Sequence, residues 1–516
     1  MKLTLFETSD MHSYVSPTDY ISKKDLAFGM AKVATKLSKL RNKYSNNVII
    51  TIENGDFIQG SPLSYYLAKK YNSAELFAQI ANYLAYDVHI LGNHEFNYGL
   101  TYLKTAVKNY HAPVLAANIL STNNTPYFGC GYKIIEKAGI KIAILGLTTA
   151  YIPHWEKAEN ISGLTFESAL QTAKKYVPFL KKQADIIIVS YHGGFERDLK
   201  TGEPTEALTG ENEGYSILHE VSGINVLFTG HQHRALSERH CDIPIIQPGY
   251  RGNYIGEIQL TIKKIHGTIE ITDTQTKLHS VDDVMADPKI LEITKPYEEE
   301  LERWLDKPLG SVNGNMSITN PMQARINEHP YIEFINRVQM AASGAKISAT
   351  SLFNNDGKGF GKQISMRDVI TNYIYPNTLA VLKINGSDLK AALEKTASFL
   401  TVINNTIVFD PKFIEPKPQY YNYDMYEGIN YTIDMNKPVG QRITSLKFEN
   451  KDILAQQEFE IVLNQYRALG GGDYEMFSPQ KIIKEISIDM TELIADYLKA
   501  NPVITTKVNS NFNVIL

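Results

Sequence analysis

From Lys2 to about Gly230 the chain alternates two hydrophobic patterns. Short stretches such as KLTLFETS, NVIITIE, DVHILG, PVLAANIL, IKIAILGLT, ADIIIVSYH and INVLFTGH are β-branched and almost continuously apolar. Strands buried on both faces read this way. Between them, AFGMAKVATKLSKLRNKYS, SAELFAQIANYLAY, LTYLKTAVKNY and TFESALQTAKKYVPFLKKQ repeat apolar residues at helical spacing. Repeated strand–helix units predict a layered α/β domain. After Gly230 the helices stop, and IPIIQPG, YIGEIQLTIKKI and GTIEITDTQTKL predict strands joined by turns, an antiparallel part of the sheet system.

A charged helical stretch, PKILEITKPYEEELERWLD, comes next, then loop-like SVNGNMSITNP and an amphipathic helix, HPYIEFINRVQMAAS, that ends at Ser343–Gly344. The last part mixes helices (SMRDVITNYIY, GSDLKAALEKTASFL) with strands (KISATSLF, TLAVLKIN, INYTIDM, FEIVLNQY). The expected organisation is a domain over 1–290, a connector and linker helix over 291–345, and a smaller mixed α/β domain over 346–516.

At 516 residues the chain is long enough for two domains, and an apolar share of 43% is normal for globular cores. A net charge of −4 carries no electrostatic footprint for a nucleic acid polymer or an anionic membrane surface. Two cysteines, Cys130 and Cys241, make no disulfide framework. The chain begins directly on a strand, and no apolar run reaches the ~20 residues of a membrane helix. This reads as cytoplasmic, or as secreted or periplasmic if a leader has been trimmed. A monomer satisfies everything read so far, and nothing sets another oligomeric state.

Five apolar strands run into residues that can hold metals: Asp10 and His12, Asp56, Asn93 and His94, His192, and His231 with His233. Ligands in open α/β sheets bind beyond the carboxyl ends of strands, so these distant residues can converge. Singly, each has a plain explanation, such as a polar loop residue or a helix cap. Together, DxH, GD, GNH, YH and GHxH, each after an apolar strand, point to one site. Oxygen and imidazole donors without cysteine suit Mn, Fe, Zn, Ni or Co in an open catalytic site. The ligand count fits two divalent ions sharing a carboxylate.

SDMHS, ENGDFIQGSPL, GNHEFNYGLTYL, AANI, SYHGG and TGHQH resemble the calcineurin-like metallophosphoesterases, in their 5′-nucleotidase branch. YPNTLAVLKINGSDLKAALEKTA, YNYDMYEGINYTID and NQYRALGGGDYEMF are similar to that branch's nucleotide-binding C-terminal domain. Among subgroups, the resemblance is nearest to the bacterial 2′,3′-cyclic-nucleotide 2′-phosphodiesterase/3′-nucleotidases. It implies an N-terminal four-layer α/β/β/α sandwich. It implies that Asp10, His12 and His233 hold one metal, that Asn93, His192 and His231 hold the other, and that Asp56 bridges. His94 would contact the phosphoryl group or leaving oxygen, and Glu95 would not be a ligand. The implied reaction is in-line attack by a metal-bridging hydroxide on a nucleotide, 2′,3′-cyclic nucleotides and 3′-nucleotides foremost. A 5′-nucleotidase or nucleotide-sugar hydrolase on the same fold is the alternative, and a catalytically silent nucleotide-binding protein is the alternative of another class.

On the C-terminal domain the resemblance implies an aromatic clamp for the base. Tyr466 matches one position, and for the other Tyr423 stands first and Tyr421 second. Asp473, Asn464, Asn354 and Asn355 are further candidates for polar contacts. The stretch SLFNNDGKGFGKQI departs from the GGxR-type loop of many 5′-nucleotidases because it has no arginine. A hinge is expected at Ser343–Gly344, as relatives close by interdomain rotation. Asn97 is expected to act beside His94: relatives carry an aspartate there, and an amide can orient the imidazole without adding charge.

Overall fold

The computed structural model describes residues 1–516 apart from 207, 266, 267, 376, 416 and 487. The chain divides into two compact units, Met1–Leu301 and Glu302–Leu516.

The first unit holds two six-stranded sheets. One runs Thr268–Ser280, Tyr254–Ile265, Lys2–Thr8, Val48–Glu53, Val88–Ile90, Val114–Leu115. Its last four strands are parallel, and Tyr254–Ile265 joins Lys2–Thr8 antiparallel. The other runs Ala235–His240, Ile243–Pro248, Val226–Thr229, Ile186–His192, Ile140–Thr148, Tyr132–Lys137. Leu5, Ile50, Ile52 and Ile90 of the first sheet share a buried core with Ile144, Ile188, Phe228 and Ile246 of the second, so the sheets face each other. The opposite side of the second sheet buries Leu145 and Val189 against Ala173 and Val177 of the helix Ala169–Leu180 and Ile217 of the helix Gly214–Glu220. The helix Met30–Lys43 packs on the outer side of the first sheet, at Tyr254–Ile265. The four-layer α/β/β/α arrangement results. Continuous apolar strands fit it, because each sheet is covered by the other sheet on one face and by helices on the opposite face.

The late antiparallel strands are as expected, with one difference. Ile243–Pro248 pairs in parallel with Val226–Thr229 and antiparallel with Ala235–His240. Gly267, the first residue of the stretch read as GTIEITDTQTKL, lies outside the described residues.

The second unit is built on a five-stranded sheet ordered Asp424–Glu427, Ile347–Ser351, Glu458–Asn464, Leu379–Asn385, Ile482–Ile486. The expected connector over 291–345 does not stand apart from it. Pro308–Asn313 pairs with Gln363–Ser365 and Val503–Thr505. The helix Pro330–Ser343 buries Tyr331, Phe334, Ile335 and Val338 in the same core as Ile347, Leu382 and Ile461. Ser343–Gly344 is therefore a helix end inside this unit: Gly344, at φ 84°, caps the helix in left-handed conformation, and the Ser343 carbonyl accepts Lys484 Nζ at 2.9 Å.

Candidate metal centre

The strands of the first unit end at the residues expected to be ligands. Lys2–Thr8 leads to Asp10 and His12, Val48–Glu53 to Asp56, Val88–Ile90 to Asn93, and Val226–Thr229 to His231 and His233, while His192 ends its own strand. Asp10, His12, Asp56, His231 and His233 all hold positive φ. Non-glycine residues rarely adopt this backbone, and such strain collects at functional sites.

Two groups form. Asp10, His12 and His233 bring ligand atoms within 4.8 Å of one another, and so do Asp56, His192 and His231. His12 Nε2 lies 2.9 Å from His233 Nε2, and His233 Nε2 lies 3.5 Å from Asp10 Oδ1. Asn93 Oδ1 sits 2.8 Å from His231 Nδ1. His192 Nε2 reaches Asp56 Oδ2 at 3.2 Å and Asp10 Oδ1 at 4.0 Å, so Asp56 and Asp10 both lie at the junction of the two groups.

The far side of three of the four rings is held. His12 Nδ1 meets the Gln59 carbonyl at 3.0 Å, and His192 Nδ1 the Asn54 carbonyl at 2.6 Å. His231 Nε2 meets Glu211 Oε1 at 2.9 Å. Such outer contacts fix the tautomer and aim the remaining nitrogen inward. Asp56 Oδ2 and His192 Nε2 are buried and have no hydrogen-bond partner among the described residues. Buried polar atoms are almost always satisfied, so these two atoms suit ligation of a cation.

The electrostatics agree. Burial, opposed by His192 and reinforced by Asp56, pushes the Asp10 carboxyl up to about 6. Burial lowers His12 to about 3. Burial alone would also lower His192, but Asp56 and Asp10 raise it to about 10. Carboxylates and imidazoles packed this way compete for protons, and a divalent cation relieves the contest by replacing them.

Glu95 is not aimed at either group. It accepts Asp56 N–H at 2.8 Å, Gly92 N–H at 2.6 Å and Phe57 N–H at 2.6 Å, clamping two ligand-bearing loops together. Gly92 has its own reason: a Cβ there would overlap Asp56 Oδ1. The requirement is close approach.

His94 is half-buried, with its ring 5.2 Å from that of His12. Its Nδ1 lies 2.7 Å from Asn97 Oδ1, and its backbone N–H donates to Asp56 Oδ1 at 2.8 Å. Asn97 Nδ2 in turn donates to Glu156 Oε2 at 2.7 Å. Glu156 Oε1 accepts Lys157 N–H and Asn160 Nδ2, both at 2.8 Å. Burial pushes the Glu156 carboxyl up, and these donors pull it back. Glu156 escapes a reading of the sequence: it lies 59 residues from Asn97 and carries no motif.

In the second unit Tyr421 and Tyr466 are neighbours, with centroids 6.3 Å apart and rings at 70°, both half-buried. Tyr423, expected ahead of Tyr421, is 1% exposed and packed in the core, so it offers no face to a base. Arg467 sets the platform, bonding Asp424 Oδ2 at 2.6 Å, the Tyr421 carbonyl at 3.2 Å, Asn422 Oδ1 at 3.2 Å, and the Gly471 carbonyl. Asn464 is buried and spends its oxygen capping the helix Gln465–Ala468. Asn354 Oδ1 accepts Asp356 and Gly357 N–H in its own turn. Asp473 is exposed and pairs with Lys395 at 3.2 Å. The stretch SLFNNDGKGFGKQI, which has no arginine of its own, is held by one from outside it. Arg325, 1% exposed, bonds the Leu352 and Asn354 carbonyls and Asn355 Oδ1 at 2.8–3.1 Å, so it supports the loop from beneath.

The family model of calcineurin-like phosphoesterases matches residues 3–235, and that of the 5′-nucleotidase C-terminal domain matches 308–479. A 2′,3′-cyclic-nucleotide 2′-phosphodiesterase/3′-nucleotidase of Salmonella typhimurium is 30% identical over 91% of this chain and 81% of its own length. The trifunctional nucleotide phosphoesterase protein YfkN of Bacillus subtilis is 26% identical over 99% of this chain, which spans only 39% of that protein. A solved Staphylococcus aureus structure, described as a candidate 5′-nucleotidase in complex with α-ketoglutarate, superposes with a TM-score of 0.94 at 37% identity over all of both chains. The chain belongs to the calcineurin-like metallophosphoesterases that carry a 5′-nucleotidase C-terminal domain.

Proposed function

We propose that this chain hydrolyses nucleotide phosphoesters, with 2′,3′-cyclic nucleotides and 3′-nucleotides as its main substrates. The observation that carries the reading is the pair of ligand groups meeting at Asp56 with His94 beside them. Identity to the Salmonella typhimurium enzyme supports the substrate class. A 5′-nucleotidase reading is favoured by the Staphylococcus aureus superposition, and it differs only in how the substrate is oriented.

Asp10, His12 and His233 would hold one divalent ion, Asn93, His192 and His231 the other, and Asp56 both. When bound, two such ions orient phosphate oxygens, neutralise charge and activate water near neutral pH. The remaining work belongs to the chain. The Asn97 amide oxygen accepts the His94 Nδ1 proton, which leaves Nε2 for the substrate. There His94 stabilises the charge that develops on the phosphoryl group or assists the departing oxygen. Tyr466 supplies a stacking face for the base, with Tyr421 set edge-on against it, a contact that tolerates any base.

Hydrolysis of bis-p-nitrophenyl phosphate with added Mn²⁺ tests the enzymatic reading. The account expects metal-stimulated turnover that disappears in Asp56→Asn. No turnover in the native chain would favour a silent binder, and full turnover in that variant would place the activity outside the centre that Asp56 joins.

A further inference from the structure

We propose that His219, His240 and Cys241 form a separate surface metal site, taking a borderline divalent cation such as Zn²⁺. None of the three belongs to the strand-end centre. His219 lies in the last turn of the helix Gly214–Glu220. His240 ends the strand Ala235–His240, and Cys241 opens the two-residue turn that His240 and Ile243 close as a pair.

The donor atoms converge. His219 Nε2 lies 2.9 Å from His240 Nε2, and Cys241 Sγ lies 3.8 Å and 3.9 Å from the two ring nitrogens of His219. One ligand atom from each residue falls within 4.8 Å of the others. A tetrahedral zinc, with Zn–N ~2.0–2.1 Å and Zn–S ~2.3 Å, sets its ligand atoms about 3.3–3.6 Å apart, so small ring movements suffice. An N–H···N hydrogen bond between the rings accounts for the nitrogen pair alone, not for a thiol on the same side. One thiolate and two imidazoles suit Zn, Co or Cu better than Mg or Ca.

The turn adds a second observation. Cys241 and Asp242 both hold positive φ, 49° and 63°. Hairpin turns of this kind favour Asn, Asp or Gly. Cysteine is outside that preference, and here the turn directs its thiol at His219. The Tyr215 ring stacks on His219 with centroids 4.1 Å apart, and the Tyr215 backbone N–H is tied to Glu196, so the imidazole is held in place. All three residues are accessible or partly so, and solvent would supply a fourth ligand. Occupied, the site would tie the helix to the hairpin.

Cobalt titration of the full chain tests this. Only a thiolate ligand gives an intense near-ultraviolet sulfur-to-cobalt charge-transfer band, and the strand-end centre has no cysteine. The expected result is a band that saturates near one added equivalent beyond those at the strand-end centre and that Zn²⁺ displaces. It should vanish in Cys241→Ser, weaken at least several-fold in His219→Ala and His240→Ala, and persist in Cys130→Ser and Asp56→Asn. No band at tenfold excess Co²⁺, a band that survives Cys241→Ser, or one indifferent to both histidine changes would overturn the proposal. Hydrolysis is not the readout, so the outcome is independent of the activity proposed above.

Discussion

Asn97 stands between an imidazole and a carboxylate, and only an amide serves both. Its oxygen accepts from His94 and its NH₂ donates to Glu156. An aspartate in its place would set two carboxylates 2.7 Å apart, where like charges repel. Under the proposed function Glu156 is a positioning residue, holding the Asn97 amide so that its oxygen faces His94. His94→Ala should lower kcat by about 10²–10⁴-fold with bound metal unchanged. Asn97→Asp and Glu156→Gln should each lower kcat. The double variant should recover much of the loss, since the amide introduced by the second change can donate to the carboxylate introduced by the first. Steady-state rates across this double-mutant cycle measure the coupling, and additive losses would remove Glu156 from the mechanism. The two tyrosines separate in the same way. Tyr466→Ala should raise KM for a nucleotide by about 5–150-fold, equivalent to ~1–3 kcal/mol of stacking. Tyr423→Ala should instead destabilise the fold by about 3–5 kcal/mol, a cavity effect visible in denaturant unfolding.

At the scale of elements, what the sequence makes legible is whatever depends on local pattern. Apolar strands followed by Asp, His or Asn locate all seven metal-ligand candidates, because a strand end in a parallel sheet has one functional direction. The helix Pro62–Tyr71 is missed by its pattern of apolar residues, although Ser61 and Pro62 are its cap and first residue. Tyr423 departs from expectation because it follows the short turn Tyr420–Asn422, where strand alternation does not operate. The strand Pro308–Asn313 is hidden in a polar stretch, since its partners lie 50 or more residues away. Glu156, Arg325 and Arg467 share that obscurity: each serves a loop distant in sequence. Arg467 tests this kind of support. Its guanidinium joins Asp424, Asn422 and two backbone carbonyls under Tyr421 and Tyr466. Arg467→Ala should cost about 3–5 kcal/mol by leaving Asp424 buried and unpaired, as read by chemical unfolding. Unchanged stability would deny it that role.

For the whole molecule, the order of ligand candidates along the chain points to the family; the strand–helix pattern predicts a layered α/β domain, and the four-layer α/β/β/α form comes from the resemblance. The boundary between units does not follow. The helix Pro288–Leu305 reads as a connector by composition, yet compactness divides the chain at Leu301, and the second unit takes in everything from Glu302 onward. Among the described residues no helix is long and apolar enough to cross a membrane. Under the proposed function, the strand-end centre acts foremost on 2′,3′-cyclic nucleotides and 3′-nucleotides. The direct measurement is kcat/KM of the Mn²⁺-supplemented chain for 2′,3′-cAMP, 3′-AMP, 5′-AMP, ADP and a UDP-sugar under one set of conditions. The account predicts that 2′,3′-cAMP and 3′-AMP exceed the others by at least about tenfold, a ~1.4 kcal/mol difference in transition-state stabilisation. A preference of that size for 5′-AMP, ADP or the UDP-sugar would contradict it.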